Sequence, residues 1–200
     1  VFSSLACQLR AGERIVAARS LFGSCQFIIG EILPRWGIES VFVDGTDTEA
    51  WRKALSRPTK AVFLETPSNP TLEIVDLKAV ADLAHKASAR VVVDNVFASP
   101  MLQNSLAYGA AGVMHSVTKY IGGHSDLILG AVVCNDDANV RALLPSIARP
   151  YLTYGFDESA DVRAVDVERL AGLSKFAVLR PGAAPPLPVT LNLPGRHNVL

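Results

Sequence analysis

The sequence lacks several features that would each have indicated a particular class of protein. Its 19 lysine and arginine residues balance 19 aspartate and glutamate residues, so no basic surplus is present to release counterions from nucleic acid. The apolar runs, such as residues 128–134, are far shorter than the ~20 residues of a membrane span, and no basic and apolar leader opens the chain. The 3 cysteines have no metal-ligand spacing, which is typical of a reducing compartment. We expect a soluble cytoplasmic protein that binds no metal, membrane or nucleic acid.

The chain has enough apolar material for a sizeable core, with 200 residues of which 50% are hydrophobic. Short apolar runs that do not alternate with polar residues predict buried strands at residues 15–18, 40–43, 61–64, 90–93 and 112–114. Helical patterns lie between them, and residues 77–87 show a helical apolar face with Asp76 placed as the N-cap. This alternation predicts an α/β fold with a mainly parallel sheet and helices on both faces.

Polar side chains follow the predicted strands directly. They are Asp44, residues 65–70, the pair Asp94 and Asn95, and residues 115–119. Ligands of parallel α/β sheets bind outside the carboxyl ends of the strands. Carboxylates, amides, hydroxyls and a lysine delivered to one edge predict a site for a charged, polar ligand.

Lys119 and Asp94 are the residues with the most specific chemistry at this edge. A lysine amine can form a Schiff base with an aldehyde, and the nearby hydroxyls of Ser116 and Thr118 can hold a phosphate. A carboxylate that ends a buried strand can pair with a pyridinium nitrogen. Taken singly, each residue has an ordinary alternative, because lysine is usually a solvated surface residue and aspartate often forms turns.

Four stretches resemble the pyridoxal-phosphate enzymes of cysteine and methionine metabolism. They are residues 18–24, 65–71, 93–98 and 116–126, in the same order as in that family. The resemblance covers about residues 1–133 and implies part of a fold-type I pyridoxal-phosphate large domain. The Leu-Phe-Gly sequence at residues 21–23 resembles the O-succinylhomoserine sulfhydrylase branch. That branch implies a γ-replacement on O-succinylhomoserine, or a related O-acyl homoserine, giving homocysteine or cystathionine.

The resemblance also implies roles for individual residues around pyridoxal 5'-phosphate. Lys119 would form the Schiff base, Asp94 would contact the pyridine nitrogen, and Ser116 and Thr118 would help to hold the phosphate.

Two further residues would surround the cofactor ring. Asn69 would lie near its phenolic oxygen and the substrate carboxylate. Phe22 stands where the family usually stacks a tyrosine, and a phenyl ring can still stack there. Because sites in this family form between subunits, the resemblance implies a homo-oligomer.

Residues 134–200 resemble a different family, the central domain of UDP-N-acetylmuramate-L-alanine ligase. The matching stretches are residues 134–141, 149–156, 160–163 and 191–200, and by this resemblance His197 and Asn198 would lie beside a nucleotide. No glycine-rich phosphate loop of the type G-x-x-x-x-G-K occurs, which argues against ATP-dependent ligation. Residues 181–188 predict a loop or extended connector, followed by a strand at 189–193.

These observations predict a chimeric chain with a partial pyridoxal-phosphate domain at residues 1–133. A fragment with a short α/β or β-rich fold would follow at residues 134–200, joined through an apolar strand at 129–134. Two alternatives stay open beside an enzyme impaired by truncation. One is a non-catalytic α/β fragment, because the family's Ser-Gly-Met phosphate loop, Tyr-x-Arg pair and C-terminal arginine are not found. The other is a piece of the ligase.

Overall fold

A computed structural model describes residues 1–134, 152–170 and 172–192 of the chain. The chain divides into two units, residues 1–143 and residues 144–200, and the described part of each contains its own sheet. The boundary that the sequence places between residues 133 and 134 stays a prediction. His197 and Asn198, and most of the stretches that resemble the ligase, lie outside the described residues.

The first unit contains a six-stranded sheet. Its strands are β1 (Arg14–Ala18), β2 (Glu39–Val43), β3 (Ala61–Glu65), β4 (Arg90–Asp94), β5 (Gly112–Ser116) and β6 (Gly130–Cys134). They lie in the order β2-β1-β3-β4-β5-β6. Strands β1 to β5 pair in parallel, and only β6 runs antiparallel to its neighbour. The mainly parallel sheet predicted from the non-alternating apolar runs is confirmed.

Helical segments connect the strands of this sheet. They are α1 (Phe2–Ala6), α2 (Gly23–Phe27), a π-helical turn (Ile28–Ile32), α3 (Leu33–Arg35), α4 (Thr48–Ala54), α5 (Leu77–Lys86), α6 (Ser99–Leu102) and a 3₁₀ turn (Ser105–Tyr108). The cap predicted for α5 is present, because an Asp76 carboxylate oxygen accepts a hydrogen bond from the Ala79 backbone N–H at 3.0 Å. None of the described helices has both the length and the apolar character needed to cross a membrane.

The strand order places a topological switch point between β1 and β3. From β1 the chain moves outward to β2, and it then returns past β1 to β3. Because parallel crossovers are right-handed, connections that run in opposite directions place their helices on opposite faces. The carboxyl ends of β1 and β3 therefore border a crevice of the kind in which α/β sheets bind ligands.

Strands β1 and β3 form the centre of the core. Every residue of both strands is buried, as expected when helices cover both faces of a sheet. Trp51 of α4 is also fully buried, and its indole N–H donates to the Gly45 carbonyl oxygen at 3.0 Å. The burial of the strand backbones holds the residues at their carboxyl ends in fixed positions.

The described part of the second unit is a four-stranded sheet. Its strands are β7 (Tyr154–Gly155), β8 (Val162–Leu170), β9 (Leu173–Arg180) and β10 (Ala183–Leu191). Strands β8, β9 and β10 form an antiparallel meander, and β7 pairs in parallel with β8. This sheet agrees with the β-rich form of the predicted C-terminal segment.

The prediction of a loop or extended connector at residues 181–188 is wrong from Ala183 onward, where the structure has a strand. Strand β10 begins at Ala183, and its register with β9 shifts between Ala183 and Leu187. Pro185 and Pro186 have no N–H to donate, but β10 is at the edge of the sheet, and prolines are tolerated at edges and bulges. The predicted strand at 189–193 is confirmed as far as Leu191, where the strand ends.

Candidate functional site

The loops that follow β1 and β3 are joined by hydrogen bonds at the switch point. The Ser68 hydroxyl lies 3.1 Å from the Ser20 hydroxyl and 2.7 Å from that of Thr71. The Phe22 backbone N–H donates to Oε2 of Glu65 at 2.7 Å. These contacts fix the two loops relative to each other at the edge where the sequence predicts the site.

Two buried carboxyl groups lie side by side at this edge. Glu65 ends β3 and Asp94 ends β4, and the two residues are partners in the parallel register. Their exposures are only 3% and 6%. Burial, with the charge of Asp94 as the second cause, raises the pKa of Glu65 to about 7. Burial also raises the pKa of Asp94, although the Val96 backbone N–H donates to its carboxylate at 3.2 Å.

Cys25 of α2 packs against this carboxyl pair. Its Sγ donates to Oδ2 of Asp94 at 3.9 Å. Burial and the charges of Asp94 and Glu65 raise the pKa of the thiol to about 12, so Cys25 is a protonated donor at neutral pH. Cys25 was not singled out from the sequence, because a lone cysteine between Ser24 and Gln26 gives no signal of such a contact.

A network of side-chain amides holds the chain just beyond Asp94. Asn95 is buried, and its Nδ2 donates to the carbonyl oxygens of Ser99 and Gln103 at 3.2 and 2.9 Å. Nε2 of Gln103 donates to Oδ1 of Asn95 at 3.1 Å and to the Thr66 carbonyl oxygen at 3.2 Å. The end of β4 is therefore tied to the loop after β3. Gln103 was not singled out from the sequence, because it lies on no strand end.

Lys119 lies in a tight turn after β5. Its backbone N–H donates to the Ser116 carbonyl oxygen at 3.0 Å, and the Gly122 N–H donates to the Val117 carbonyl oxygen at 2.7 Å. A Cβ on Gly122 would lie 2.6 Å from that carbonyl oxygen, so the turn requires glycine at this position. The Lys119 side chain is exposed and can be reached by a ligand.

The two residues predicted to hold a phosphate, Ser116 and Thr118, differ in their hydrogen bonds. Ser116 is the last residue of β5 and is partly exposed. The Thr118 hydroxyl donates to the Leu129 carbonyl oxygen at 3.2 Å and accepts from the Leu129 N–H at 3.0 Å. The Thr118 oxygen can still accept one more hydrogen bond, but a phosphate oxygen needs a donor. The hydroxyl proton of Thr118 could therefore reach a phosphate only if the phosphate displaced the Leu129 carbonyl oxygen.

The remaining predicted residues lie at the switch point. Phe22 precedes α2 and is 49% exposed, which leaves its ring free to stack on a planar ligand. Asn69 lies in the loop after β3 and is partly exposed. The structure thus brings Phe22, Asn69 and Asp94 to neighbouring strand ends around Glu65.

The donor set fits pyridoxal phosphate. A carboxyl whose pKa is raised by burial is stabilised when a cation approaches it, and the protonated ring nitrogen of the cofactor is such a cation. The exposed Lys119 amine and the exposed Phe22 ring are available for the aldehyde and for the ring face. The phosphate would need the Thr118 hydroxyl, whose proton is donated to the Leu129 carbonyl in this structure. The described residues contain no cluster that could hold a metal ion.

The chain was compared with known families. The model of the family described as "Cys/Met metabolism PLP-dependent enzyme" matches residues 1–149. The chain belongs to this family. The predicted family and the predicted fold-type I architecture of the first unit are therefore confirmed, and pyridoxal phosphate is the cofactor of the family. The predicted resemblance of the C-terminal part to a ligase stays a prediction.

Relatives within the Cys/Met metabolism family share high identity with the chain. O-succinylhomoserine sulfhydrylase of Mycobacterium tuberculosis is 56% identical over 133 residues, which cover 66% of this chain and 33% of that protein. Cystathionine gamma-synthase of Mycobacterium leprae is 40% identical over 159 residues, covering 75% of this chain and 41% of that protein. The chain spans about a third of the length of the first of these relatives.

Solved structures of this family share the fold of the first unit. MetB from Corynebacterium glutamicum superposes with a TM-score of 0.68 at 42% identity, covering 70% of this chain and 37% of that chain. The cystathionine gamma-lyase CalE6 from Micromonospora echinospora also gives a TM-score of 0.68, at 37% identity, and covers 72% of this chain and 38% of that chain.

Proposed function

We propose that the chain supplies the cofactor-binding part of a pyridoxal-phosphate enzyme of trans-sulfuration. The reaction would be a γ-replacement on O-succinylhomoserine, or a related O-acyl homoserine, giving homocysteine or cystathionine. One observation carries the proposal. The buried carboxyl of Asp94 ends β4, and the exposed Lys119 follows the adjacent strand β5, so an acid for the ring nitrogen and an amine for the aldehyde come from neighbouring strand ends.

Four residues hold the cofactor in this proposal. Lys119 holds the cofactor covalently through its amine, and Asp94 holds a proton on the ring nitrogen. Bound in this way, pyridoxal phosphate acts as an electron sink for the substrate carbons. Ser116 and Thr118 bind its phosphate.

The other two residues act on the ring and the substrate. Phe22 covers one face of the ring, which excludes water from it but offers no hydroxyl for proton transfer. The Asn69 amide orients the phenolic oxygen and the substrate carboxylate.

The identity of the substrate rests on the relatives. The sulfhydrylase of M. tuberculosis is 56% identical, whereas the L-methionine gamma-lyase of Fusobacterium nucleatum is 44% identical and the cystathionine gamma-lyase of Bacillus subtilis 45%. The sequence around Phe22 favours the same branch. We also propose that the enzyme is cytoplasmic and that it assembles as a homo-oligomer.

Reductive labelling tests the cofactor site directly. The chain is mixed with pyridoxal phosphate and reduced with borohydride, which converts a Schiff base into a stable amine, and the labelled peptide is identified by mass spectrometry. We expect the label on Lys119, its loss in Lys119→Ala, and its retention in the control Lys78→Ala, whose side chain pairs with Asp82 on α5. Equal labelling of several lysines in the unaltered chain would contradict the proposal.

We also propose that residues 134–200 have a different ancestry from residues 1–133. The family match stops at residue 149, so it supports a change of ancestry after residue 149, and the boundary after residue 133 stays a prediction. The source DNA across the codons for residues 126–135 decides the origin of the join. One uninterrupted gene in independent isolates would show that the join is natural, and a break there would show an artefact.

A further inference from the structure

Glu65 connects the loop after β1 to the end of β3. Its Oε2 accepts a hydrogen bond from the Phe22 backbone N–H at 2.7 Å. Phe22 belongs to the loop after β1, and the proposed function places its ring over the cofactor. One buried side chain therefore holds the backbone of a residue that covers the cofactor ring.

The position of Glu65 is itself fixed by the sheet. It is the last residue of β3, is 3% exposed and lies in register with Asp94. Side chains on strands hold a geometry more closely than side chains on loops. The backbone of Phe22, which lies on a loop, is thus held by the end of β3, and this strand end is in register with Asp94.

The chemistry of a carboxyl suits this task better than that of its isosteres. A carboxylate has two acceptor oxygens, whereas an amide has one and a methionine thioether has only a weak acceptor. Hydrogen bonds to an ionised acceptor are also shorter and stronger than those to a neutral one. The site accordingly keeps a carboxyl here although its burial beside Asp94 is unfavourable to its charge.

We propose that Glu65 is a positioning residue, whose carboxyl fixes the backbone of Phe22 relative to Asp94 and so sets the spacing between the Phe22 ring and the end of β4. The consequence for cofactor binding rests on the proposed function, but the hydrogen bond itself does not. It exists in the chain without any ligand and can be measured there.

Amide hydrogen exchange of the full chain, followed by NMR without cofactor, is the deciding experiment. In Glu65→Met, which keeps the volume and removes both acceptor oxygens, we expect the Phe22 amide to exchange about tenfold faster or more, the size expected for one hydrogen bond. In Glu65→Gln the acceptor is a neutral amide oxygen, so exchange at Phe22 should rise by less than in Glu65→Met. Unchanged exchange at Phe22 in Glu65→Met overturns the inference, and if that variant does not fold, unchanged exchange in Glu65→Gln does so.

Glu13 provides a matched control at the other edge of the sheet. Its Oε2 also accepts a backbone N–H, from Arg10 at 2.8 Å, and it precedes β1. Glu13→Met should speed exchange at Arg10 and leave Phe22 unchanged. Faster exchange at Phe22 in Glu13→Met would show a general loss of stability and would overturn the specific role of Glu65.

Titration with pyridoxal phosphate separates this inference from the proposed function. If the unaltered chain binds the cofactor, Glu65→Met should weaken binding about tenfold or more and reduce the visible circular dichroism of the bound ring, while Glu65→Gln restores part of both. If the unaltered chain does not bind it, the proposed function fails, and the exchange data still decide whether Glu65 positions the loop after β1. Binding and dichroism unchanged in Glu65→Met would overturn the inference.

Discussion

Buried charged groups differ between the two ends of the parallel strands. We call the side of the sheet where β1 to β5 begin the amino edge, and the side where they end the carboxyl edge. At the amino edge, Arg14 begins β1 with a side chain that is 7% exposed, and its Nε lies 3.2 Å from Oε1 of Glu39. The same guanidinium donates to Oγ1 of Thr59 at 2.7 Å and to the Ala54 carbonyl oxygen at 2.8 Å. Arg57 adds a second, bidentate contact to Glu39 at 2.9 and 3.1 Å. The charges of this edge are paired within the protein.

At the carboxyl edge the buried groups have the same sign. Glu65 and Asp94 are register partners, and burial raises the pKa of both. Burying like charges together reduces stability unless the groups take up protons or a cation arrives. The amino edge is therefore arranged for stability and the carboxyl edge for binding, as expected from the topology of parallel sheets.

Removing the arginine of the amino edge should give the largest effect. Arg14→Met removes the hydrogen bonds of a buried guanidinium to Thr59, the Ala54 carbonyl and Glu39, whereas Glu39 is 45% exposed and keeps Arg57. Because hydrogen bonds to charged groups and the buried partners left without them each count, we expect the free energy of unfolding in urea to fall by about 3 kcal/mol. The control Arg52→Ala breaks an exposed pair with Glu49 and should cost less than ~1 kcal/mol. A similar small loss for both variants would remove the contrast between the edges.

Neutralising the carboxyl edge should instead stabilise the protein, in a way that depends on pH. The pKa of Glu65 is raised from its ordinary 4.5 to about 7. As pH rises from 4.5 to 7 the unfolded chain releases this proton before the folded chain does, so stability falls across this window and the loss is complete above pH 7. Glu65→Gln removes that loss and should be more stable at pH 8 by about 2 kcal/mol.

The control for this prediction is the same pair of proteins at low pH. Near pH 4.5 Glu65 is protonated in the folded chain, so the difference between the two unfolding free energies should shrink toward zero. The charge of Asp94 is one cause of the raised Glu65 pKa, so the two carboxyls titrate as a coupled pair and the pH dependence belongs to both. An advantage of Glu65→Gln that is the same at pH 4.5 and pH 8 would show that packing, not ionisation, causes it.

Asp94→Asn separates stability from binding at the same edge. The amide keeps the shape of the side chain but no longer carries a charge that burial opposes, so we expect a gain of about 1 kcal/mol in unfolding free energy at pH 8. Affinity for pyridoxal phosphate should fall about tenfold or more, because a neutral amide does not hold a proton on the ring nitrogen. Thermal unfolding and equilibrium titration check the two effects, and a parallel loss of both would contradict the prediction.

The sequence predicted the parts of the fold that depend on local pattern. Five strands and the cap at Asp76 followed from apolar runs and spacing, because both signals lie within a few residues. It also predicted the candidate residues at strand ends. The part played by Glu65 could not be derived in the same way, since its partner Phe22 is distant in the sequence and meets it only through folding.

The C-terminal sheet shows a different limit of prediction. Prolines at residues 185 and 186 indicated a loop, because proline cannot donate to a ladder of hydrogen bonds. The neighbouring strand β9 pairs with residues on either side of them, and the register shift accommodates the pair. Local propensity was outweighed there by pairing across the hairpin, which a single run of residues does not reveal.

The smallest effect concerns the thiol at the carboxyl edge. Cys25 is 2% exposed, and its pKa is raised to about 12. Cys7 is exposed, although desolvation raises the pKa of its thiol as well. Since reactivity needs both access and the thiolate, a disulfide reagent at pH 8 should modify Cys7 slowly and reach Cys25 only when the chain unfolds. Cys25→Ser keeps a donor for Asp94 and should change stability by less than ~1 kcal/mol. Rapid modification of Cys25 in the folded chain would mean that the carboxyl pair is open to solvent, and the contrast between the two edges would then rest on Arg14 alone.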